Sequence, residues 1–260
     1  MKKKTVLVLI IIISFVSLMY GCSSNKKEFG DFYYSIKTDE ETGEQYIRLQ
    51  GLTEQGQKQT YVVVPSEIDG IKVRELNYSA PFVSEGSLVS DMLRKIYLPY
   101  GIDVYSDFAF VRCNSLKDLI LFDIPDGTED VRYYYGTQNT YISSSLYDEI
   151  KFGSSNLFEI YPYGGRNYEV KFANVSFMYN FEGALYSGYY WIDNCDYGTK
   201  IEYIPENPEQ EGYTFGGWYK EPECINEWDF EGDTLPESKL DEEGREVYQE
   251  TRLYAKWYKL

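Results

Sequence analysis

The stretch "GYTFGGWYKEPECINEWDF" (Gly212–Phe230) places two tryptophans, two tyrosines and a cysteine among closely spaced glycines. Its aromatic residues alternate with smaller ones, which is typical of a β-strand with one buried face. The first glycine and the pair Gly216 and Gly217 permit a positive φ or a bulge, and they allow a backbone to pass close to the Trp218 ring. Trp218 and Trp228 fit either a ligand-stacking cleft or a packed core, and the alternation favours the core.

Three segments around this stretch predict further strands of the same small unit. They are "YEVKF" with Val170 and Phe172 on one face, "YGTKIEYIP" with Ile201 and Tyr203 on one face, and the C-terminal "ETRLYAKWYKL". A glycine-rich linker at residues 164–167 precedes all of them. Four strands around one compact region predict a β-grasp-like domain over residues 168–260.

These motifs also resemble a known family. The order "GYTFGGWY", Cys224, "WDF" and "LYAKW" is similar to that of the Listeria-Bacteroides repeat, the internalin-type B-repeat of bacterial surface proteins. The chain departs from the family pattern by lacking an Asn-Gly-Gly turn near the first strand and by carrying an acidic insertion at residues 234–250. The resemblance implies a non-catalytic module that is displayed at the cell surface.

The region before the linker repeats short apolar strands that end in proline, at Pro65, Pro99, Pro125 and more weakly Pro162. Recurrence of this kind predicts a short, irregular solenoid over residues 31–163, in which each strand buries one face. A hairpin-like segment, "FYYSIKTDEETGEQYIRLQGL", comes first and is expected to cap the open end of the stack.

One unit of this region, "DFAFVRCNSLKDLILFDIP", resembles the BspA-like leucine-rich repeat. Ala109 and Phe110 precede Cys113 by the step that this family uses, and Leu116 and the Ile-Pro pair follow in order. The resemblance implies a mainly β fold, a leucine-rich-repeat solenoid followed by the B-repeat domain. Cys113 is expected to be a small buried hydrophobe in the stack, the alternative being a reactive thiol.

The N-terminus has three lysines followed by an apolar run, which predicts a secretory signal over residues 1–21; a single membrane span is the competing interpretation. The segment Leu18–Cys22 resembles the lipobox of bacterial lipoproteins, with Met19 where leucine is usual. The resemblance implies cleavage before Cys22, lipidation of its thiol and a tether over residues 22–30. The expected location is the outer face of a bacterial plasma membrane, in a Gram-positive cell envelope.

Composition excludes several classes of function. The chain has no histidine, which removes histidine-dependent triads and histidine-bearing zinc sites, and its net charge of −17 opposes binding to nucleic acid. No phosphate loop, nucleophile elbow or metal-ligand spacing occurs, so no enzyme activity, metal or cofactor is expected. Cys195 and Cys224 remain candidates for a disulfide outside the cell.

The sequence therefore predicts a non-catalytic, lipid-anchored surface protein that presents its repeat modules to an unknown protein or glycan, as an adhesin does. An alternative is an accessory lipoprotein that binds glycan or cell wall through surface tyrosines. The tyrosine clusters at residues 133–141 and 186–191 are candidates for such stacking, although strand packing also accounts for them.

Overall fold

The computed structural model describes residues 26–76, 90–99, 102–104, 113–122, 139–143 and 169–260. Within these ranges the fold is mainly β, as the sequence predicts, and the only helical turns are the 3₁₀ segments Gly56–Lys58 and Tyr186–Gly188. No helix in this described part of the chain is long and apolar enough to span a membrane. The strands are β1 (Lys27–Phe29), β2 (Phe32–Thr38), β3 (Gln45–Leu52), β4 (Tyr61–Val63), β5 (Glu67–Ile68), β6 (Ile71–Leu76), β7 (Lys95–Leu98), β8 (Asp103–Val104), β9 (Asp118–Leu121), β10 (Asn139–Ile142), β11 (Glu169–Phe172), β12 (Val175–Met178), β13 (Tyr189–Asp193), β14 (Tyr213–Tyr219) and β15 (Thr251–Lys259).

Five strands form a sheet in which every neighbouring pair is parallel, in the order β11-β10-β9-β7-β4. We call this sheet the ladder. Two of its strands lie where the sequence predicts them: β4 ends two residues before Pro65, and β7 ends directly before Pro99. The predicted strands that end at Pro125 and Pro162 differ in outcome, because β9 ends at Leu121 and the last one lies outside the described residues.

The last strand of the ladder is a difference from the sequence-based expectation. The segment with Val170 and Phe172 was expected to be the first strand of the C-terminal domain, but β11 pairs in parallel with β10 along four residue pairs. Phe172 packs against the interior of the ladder. Alternation within five residues specifies a half-buried strand, and it does not specify the sheet to which the strand belongs.

A second sheet faces the ladder, and the chain alternates between the two. In this sheet β3, β6 and β8 are parallel, whereas β1, β2 and β5 join by antiparallel pairing. The predicted hairpin is present, as β2 and β3 are connected by a turn with Gly43 at φ +75°. The chain enters the two sheets alternately, through β4, β6, β7, β8 and β9. We call this winding the coil; its two sheets are walls that enclose a core.

The coil encloses an aliphatic core. The members are side chains that point inward from both walls, and the central ones are Ile47, Leu49, Val62, Leu76, Ile96, Leu98, Leu119 and Leu121. All of these lie at or below 4% exposure. Cys113 belongs to this core, as expected of a small buried hydrophobe, and burial raises the pKa of its thiol to about 11.

The C-terminal region forms a separate four-stranded sheet in the order β13-β12-β15-β14. β12 and β15 are parallel in its centre, and both outer strands are antiparallel to their neighbours. The strand predicted around Ile201 and Tyr203 is absent, since no strand is present between β13 and β14. This segment is a loop whose Ile201 is buried and whose two prolines, Pro205 and Pro208, lack the backbone donor that a strand requires.

The glycine pair in β14 produces the expected bulge. The register between β14 and β15 shifts between Phe215 and Trp218, and Gly217 has φ +107°. A Cβ atom at Gly216 would lie 2.3 Å from the ring of Tyr258, so a side chain there would have to displace this exposed ring. The bulge turns Trp218 into the core, where its ring lies 4.9 Å from that of Phe177.

Candidate binding site where the two units meet

The face of the ladder that points away from the aliphatic core differs sharply from the inner face. We call it the outer face. Its rungs bring side chains into register in two rows, one of Tyr61, Lys95, Asp118 and Asn139 and the other of Val63, Tyr97, Ile120 and Tyr141. The second row is buried in a second core together with the C-terminal sheet. The ladder is therefore shared between two hydrophobic cores.

Aromatic rings make the contact between the ladder and the C-terminal unit. Trp191 of β13 lies 4.4 Å from Phe122 and 5.2 Å from Tyr97, measured between ring centroids. Tyr203 of the loop after β13 lies 5.0 Å from Tyr97 and 5.4 Å from Tyr61. Tilted and edge-on ring pairs of this kind contribute about 0.5–1.5 kcal/mol each beyond area burial. The contact is thus extensive and specific.

A buried charge pair reinforces this contact. Asp193 is fully buried, and its carboxylate accepts hydrogen bonds from Lys95 Nζ at 2.8 Å and from the Tyr97 hydroxyl at 3.0 Å. Lys95 Nζ also donates to the Asn194 carbonyl at 2.8 Å, and the Asn194 amide donates to the Asp193 carboxylate at 2.7 Å. A buried carboxylate is tolerated only when it is paired and hydrogen-bonded, so this cluster holds β13 in one position on the ladder.

Burial controls the ionisation of the groups in this cluster. Burial raises the pKa of the Asp193 carboxyl against the opposing effect of Lys95, and it raises the pKa of the Tyr97 hydroxyl. Although burial lowers the pKa of Lys95, the Asp193 carboxylate outweighs it and the net shift is upward. Burial and the Asp193 charge raise the pKa of Cys195 to about 12, so this thiol is protonated at neutral pH.

A groove opens beside this cluster, between the outer face and the loop that follows β13. It consists of two adjoining cavities of about 440 Å³ and about 710 Å³. Four residues line both cavities, namely Tyr141, Asn194, Cys195 and Asp196. We call the combined space the junction groove. Volumes of this size lie in the range of ligand sites.

The rest of the groove lining is aromatic and polar. The first cavity is lined further by Thr60, Tyr61, Arg94, Lys95, Tyr97, Lys117, Asp118, Thr199, Glu202 and Tyr203, and the second by Lys171, Phe172, Asn174, Tyr197, Ser238, Glu246 and Tyr248. Burial raises the pKa of Tyr203 to about 12, so its hydroxyl is neutral and available as a hydrogen-bond donor. This mixture of rings, hydroxyls, amides and charges is suited to polar ligands that have apolar faces.

The candidate residues from the sequence lie in several different places in the structure. Trp218 and Trp228 are 3% and 8% exposed and belong to the second core, which confirms core packing for both. Of the two tyrosine clusters, Tyr141 and Tyr189 are buried, Tyr186 is exposed, and residues 133–138 lie outside the described part of the chain. Cys22 also lies outside it.

Cys195 and Cys224 are both free thiols with different neighbours. The Cys195 Sγ lies 3.5 Å from Asp193, whereas the Cys224 Sγ lies 3.4 Å from the Asn180 side chain. The disulfide between them stays a prediction. No group of three metal-ligating histidine, cysteine, aspartate or glutamate side chains is present among the residues that the structure describes.

Sequence reasoning missed the residues that build the groove. Lys95 and Asp193 are separated by 98 positions, and no local motif marks either of them. Tyr61 is the first residue of a short apolar strand, and the pattern around Tyr203 predicts a strand face. Neither position is part of a sequence motif for ligand binding. The one available signal was the solenoid register, since a parallel stack aligns positions such as Tyr61, Lys95 and Asp118.

Comparison with known proteins assigns part of the chain. The family model of the Listeria-Bacteroides repeat domain, a surface-associated repeat, matches residues 174–241. The matched segment starts just after β11 and includes β12, β13 and β14, while β15 lies beyond it. A search of curated proteins finds no significant match to this chain.

Proposed function

We propose that this chain is a non-catalytic, lipid-anchored bacterial surface protein that presents its modules to a protein or to another cell-surface partner, as an adhesin does. The observation that carries the proposal is the match of residues 174–241 to a repeat domain of surface proteins.

The coil supports the solenoid half of the proposal. The parallel ladder, with successive strands stacked side by side, is the part of the arrangement that a leucine-rich-repeat solenoid shares, and Cys113 lies in the core as the resemblance implies. For the C-terminal unit we propose a β-grasp-like fold, supported by two central parallel strands flanked by antiparallel ones.

The proposed anchor is Cys22. Its segment, Leu18–Cys22, follows an apolar run and precedes "SSNKK", which suits a flexible tether. Two or three acyl chains hold a protein firmly, since each buried methylene contributes about 0.8 kcal/mol. The whole chain has a net charge of −17, so an acidic body would stand away from an anionic membrane surface in a Gram-positive envelope.

The anchor and the display are tested together in cells. A Cys22→Ser variant is compared with a matched Cys224→Ser variant by metabolic labelling with an alkyne fatty acid and by protease shaving of intact cells. We expect label and surface exposure in the parent and in Cys224→Ser, and loss of both in Cys22→Ser. Label that persists in Cys22→Ser contradicts the anchor.

The partner is tested by adhesion. Cells that lack the chain are compared with complemented cells for attachment to host cells and to surfaces coated with envelope extract, and we expect attachment to fall without it. Unchanged adhesion together with altered envelope integrity would contradict presentation and favour a structural spacer.

Tyr61, exposed at the groove, favours a second candidate function, an accessory lipoprotein that binds glycan.

A further inference from the structure

We propose that the junction groove is the binding site for an oligosaccharide that carries an anionic substituent, a carboxylate or a phosphate. This assignment rests on the proposed surface function and specifies the chemistry of the ligand. Four features of the groove support it: its length, its tyrosines, its hydrogen-bonding groups and two unpaired cations.

The length indicates a chain ligand. The first cavity begins at Tyr61 on β4, the second reaches Lys171 on β11, and the two share Tyr141 and Asn194. Together the two cavities border all five strands of the ladder, which corresponds to about 19 Å at a strand separation of about 4.8 Å. A groove of this length accommodates several linked sugar rings side by side.

The tyrosines provide a stacking surface at one end. Tyr61 is 41% exposed, although it borders a well-packed junction, and its ring meets that of Tyr203 edge-on at 5.4 Å. Tyr203 is held from behind by Tyr97 at 5.0 Å and by Trp191 at 5.2 Å. Rings that are fixed before binding lose little entropy, and their apolar faces suit the C–H faces of sugars.

Polar groups beside the rings suit sugar hydroxyls, which both donate and accept hydrogen bonds. Asp118 is held in place by Asn139, whose Nδ2 donates to the carboxylate at 3.0 Å. Thr199, Asn194 and Glu202 line the same cavity and add hydroxyl, amide and carboxylate groups. A site with this composition rejects purely apolar ligands, because its polar groups would lose water without gaining partners.

The cations give the site its preference for an anion. Arg94 and Lys117 lie on neighbouring turns of the coil, where the Lys117 amide donates to the Arg94 carbonyl at 2.9 Å. Both side chains are exposed, and neither forms an ion pair within the described ranges, even though the chain has a net charge of −17. Lys95, by contrast, is neutralised by Asp193. Asp118, Asp196 and Glu202 line the same cavity, but none of them forms an ion pair with Arg94 or Lys117. These two adjacent cations therefore stay available to a carboxylate or phosphate on the ligand.

The test uses the full-length chain in detergent micelles, applied to an array of neutral, uronate-bearing and phosphate-bearing glycans, with poly(glycerol phosphate) and a poly-glutamate peptide as anions without sugar rings. We expect binding to acidic glycans, at least tenfold weaker binding to neutral ones, and none to the two other anions. The carboxylate and phosphate arms of the array identify the source of the charge.

Variants connect binding to the groove. Tyr61→Ala is expected to weaken binding at least tenfold, while Tyr61→Phe retains it. The double variant Arg94→Gln/Lys117→Gln is expected to remove the preference for acidic over neutral glycans and the salt dependence of binding. The matched controls are Tyr213→Ala, an exposed tyrosine on β14, and Lys58→Gln/Lys72→Gln, two exposed lysines outside the groove.

The proposal is overturned if no acidic glycan binds, if the peptide binds as well as the glycans, or if the groove variants bind like the controls. Circular dichroism of each variant shows that it is folded. Failure here is distinguishable from failure of the proposed surface function: a chain that is labelled at Cys22 and supports adhesion but binds no acidic glycan retains the surface function and loses this site.

Discussion

The two faces of the ladder are built from the same strands but carry different chemistry. The inner face is mostly aliphatic, with Ile96, Leu119 and Leu121 packed inside the coil. The outer face mixes rings and charges, with Lys95 and Tyr97 in contact with the C-terminal unit. Since a strand shows alternate residues to its two sides, one sequence specifies both a fold and a docking surface. The inner face determines stability, and the outer face determines what the ladder holds.

The largest expected effect comes from breaking the inner face. Leu119 is fully buried in the middle rung of the ladder, so Leu119→Ala removes methylenes and leaves a cavity that the coil cannot collapse around. We expect a loss of about 4 kcal/mol of unfolding free energy in urea, within the usual range for such changes. The matched outer-face change, Tyr61→Ala, removes the ring pair with Tyr203 and should cost about 1 kcal/mol. Equal losses for the two variants would show that the faces do not differ in this way.

The next effect comes from breaking the contact between the outer face and β13. Asp193→Leu leaves the Lys95 ammonium beside Tyr97 without its carboxylate. We expect the unfolding free energy in urea to fall by about 3 kcal/mol. This is at the low end for broken buried pairs, because the Lys95 side chain is 16% exposed to solvent.

The control for this change removes both charges. Lys95→Met/Asp193→Leu leaves no unpaired ion, and replacing a buried pair by apolar residues is often close to neutral. We therefore expect the double variant to recover most of the loss. A double variant as unstable as the single one would show that the pair itself, more than the isolated charge, holds the junction.

A smaller effect separates the regular ladder from the irregular C-terminal sheet. The ladder pairs without a register shift, whereas β14 needs Gly217 at φ +107° to make its bulge. Gly217→Ala places a Cβ in this conformation and 2.9 Å from the Glu227 carboxylate, and we expect a loss of about 2 kcal/mol in thermal or urea unfolding. Gly212→Ala has φ +77° but open space around it, so about 1 kcal/mol is expected. Similar losses would mean that neither the larger φ of Gly217 nor its Glu227 contact adds to the cost.

Which features of the structure the sequence predicts depends on how far apart in the sequence the interacting residues lie. Strand periodicity and the glycine bulge act over a few residues, and they correctly predict β4, β7 and the shift in β14. The predicted hairpin of β2 and β3, with Gly43 in its turn, is equally local and is also confirmed. The burial of Trp218 follows from alternation in the same way. These features needed no knowledge of the partner strand.

The features that the sequence did not predict depend on which strand lies beside which. The assignment of β11 to the ladder and the loss of a strand at Ile201 are decided by tertiary contacts, which local pattern does not contain. The Lys95 and Asp193 pair is of the same kind, because each residue alone resembles an ordinary surface charge. The junction groove was missed for this reason, since it exists only after the two units meet.

The smallest expected effect contrasts the buried Asp193 with a partly exposed aspartate. Asp39 begins the turn between β2 and β3 and accepts hydrogen bonds from the Glu41 and Thr42 amides and from Arg74 at 2.7 Å. The Thr42 amide and then Arg74 lower the pKa of Asp39 from 3.8 to about 2. Because the folded-state pKa is depressed, the stability that this group contributes is present above pH 3.8 and is lost as the pH falls towards 2.

The charge and the turn contacts of Asp39 are separated by two variants. Asp39→Asn keeps an oxygen that accepts the two amides, whereas Asp39→Ala removes it. We expect a small lowering of the thermal midpoint at pH 7 for Asn, a larger one for Ala, and convergence of the Asn variant with the parent near pH 2. A midpoint difference between Asn and the parent that is constant from pH 7 to pH 2 would show that the carboxylate charge is not what the turn uses. Asp39 would then stabilise the turn only by accepting hydrogen bonds, whereas the buried Asp193 acts through its ion pair with Lys95.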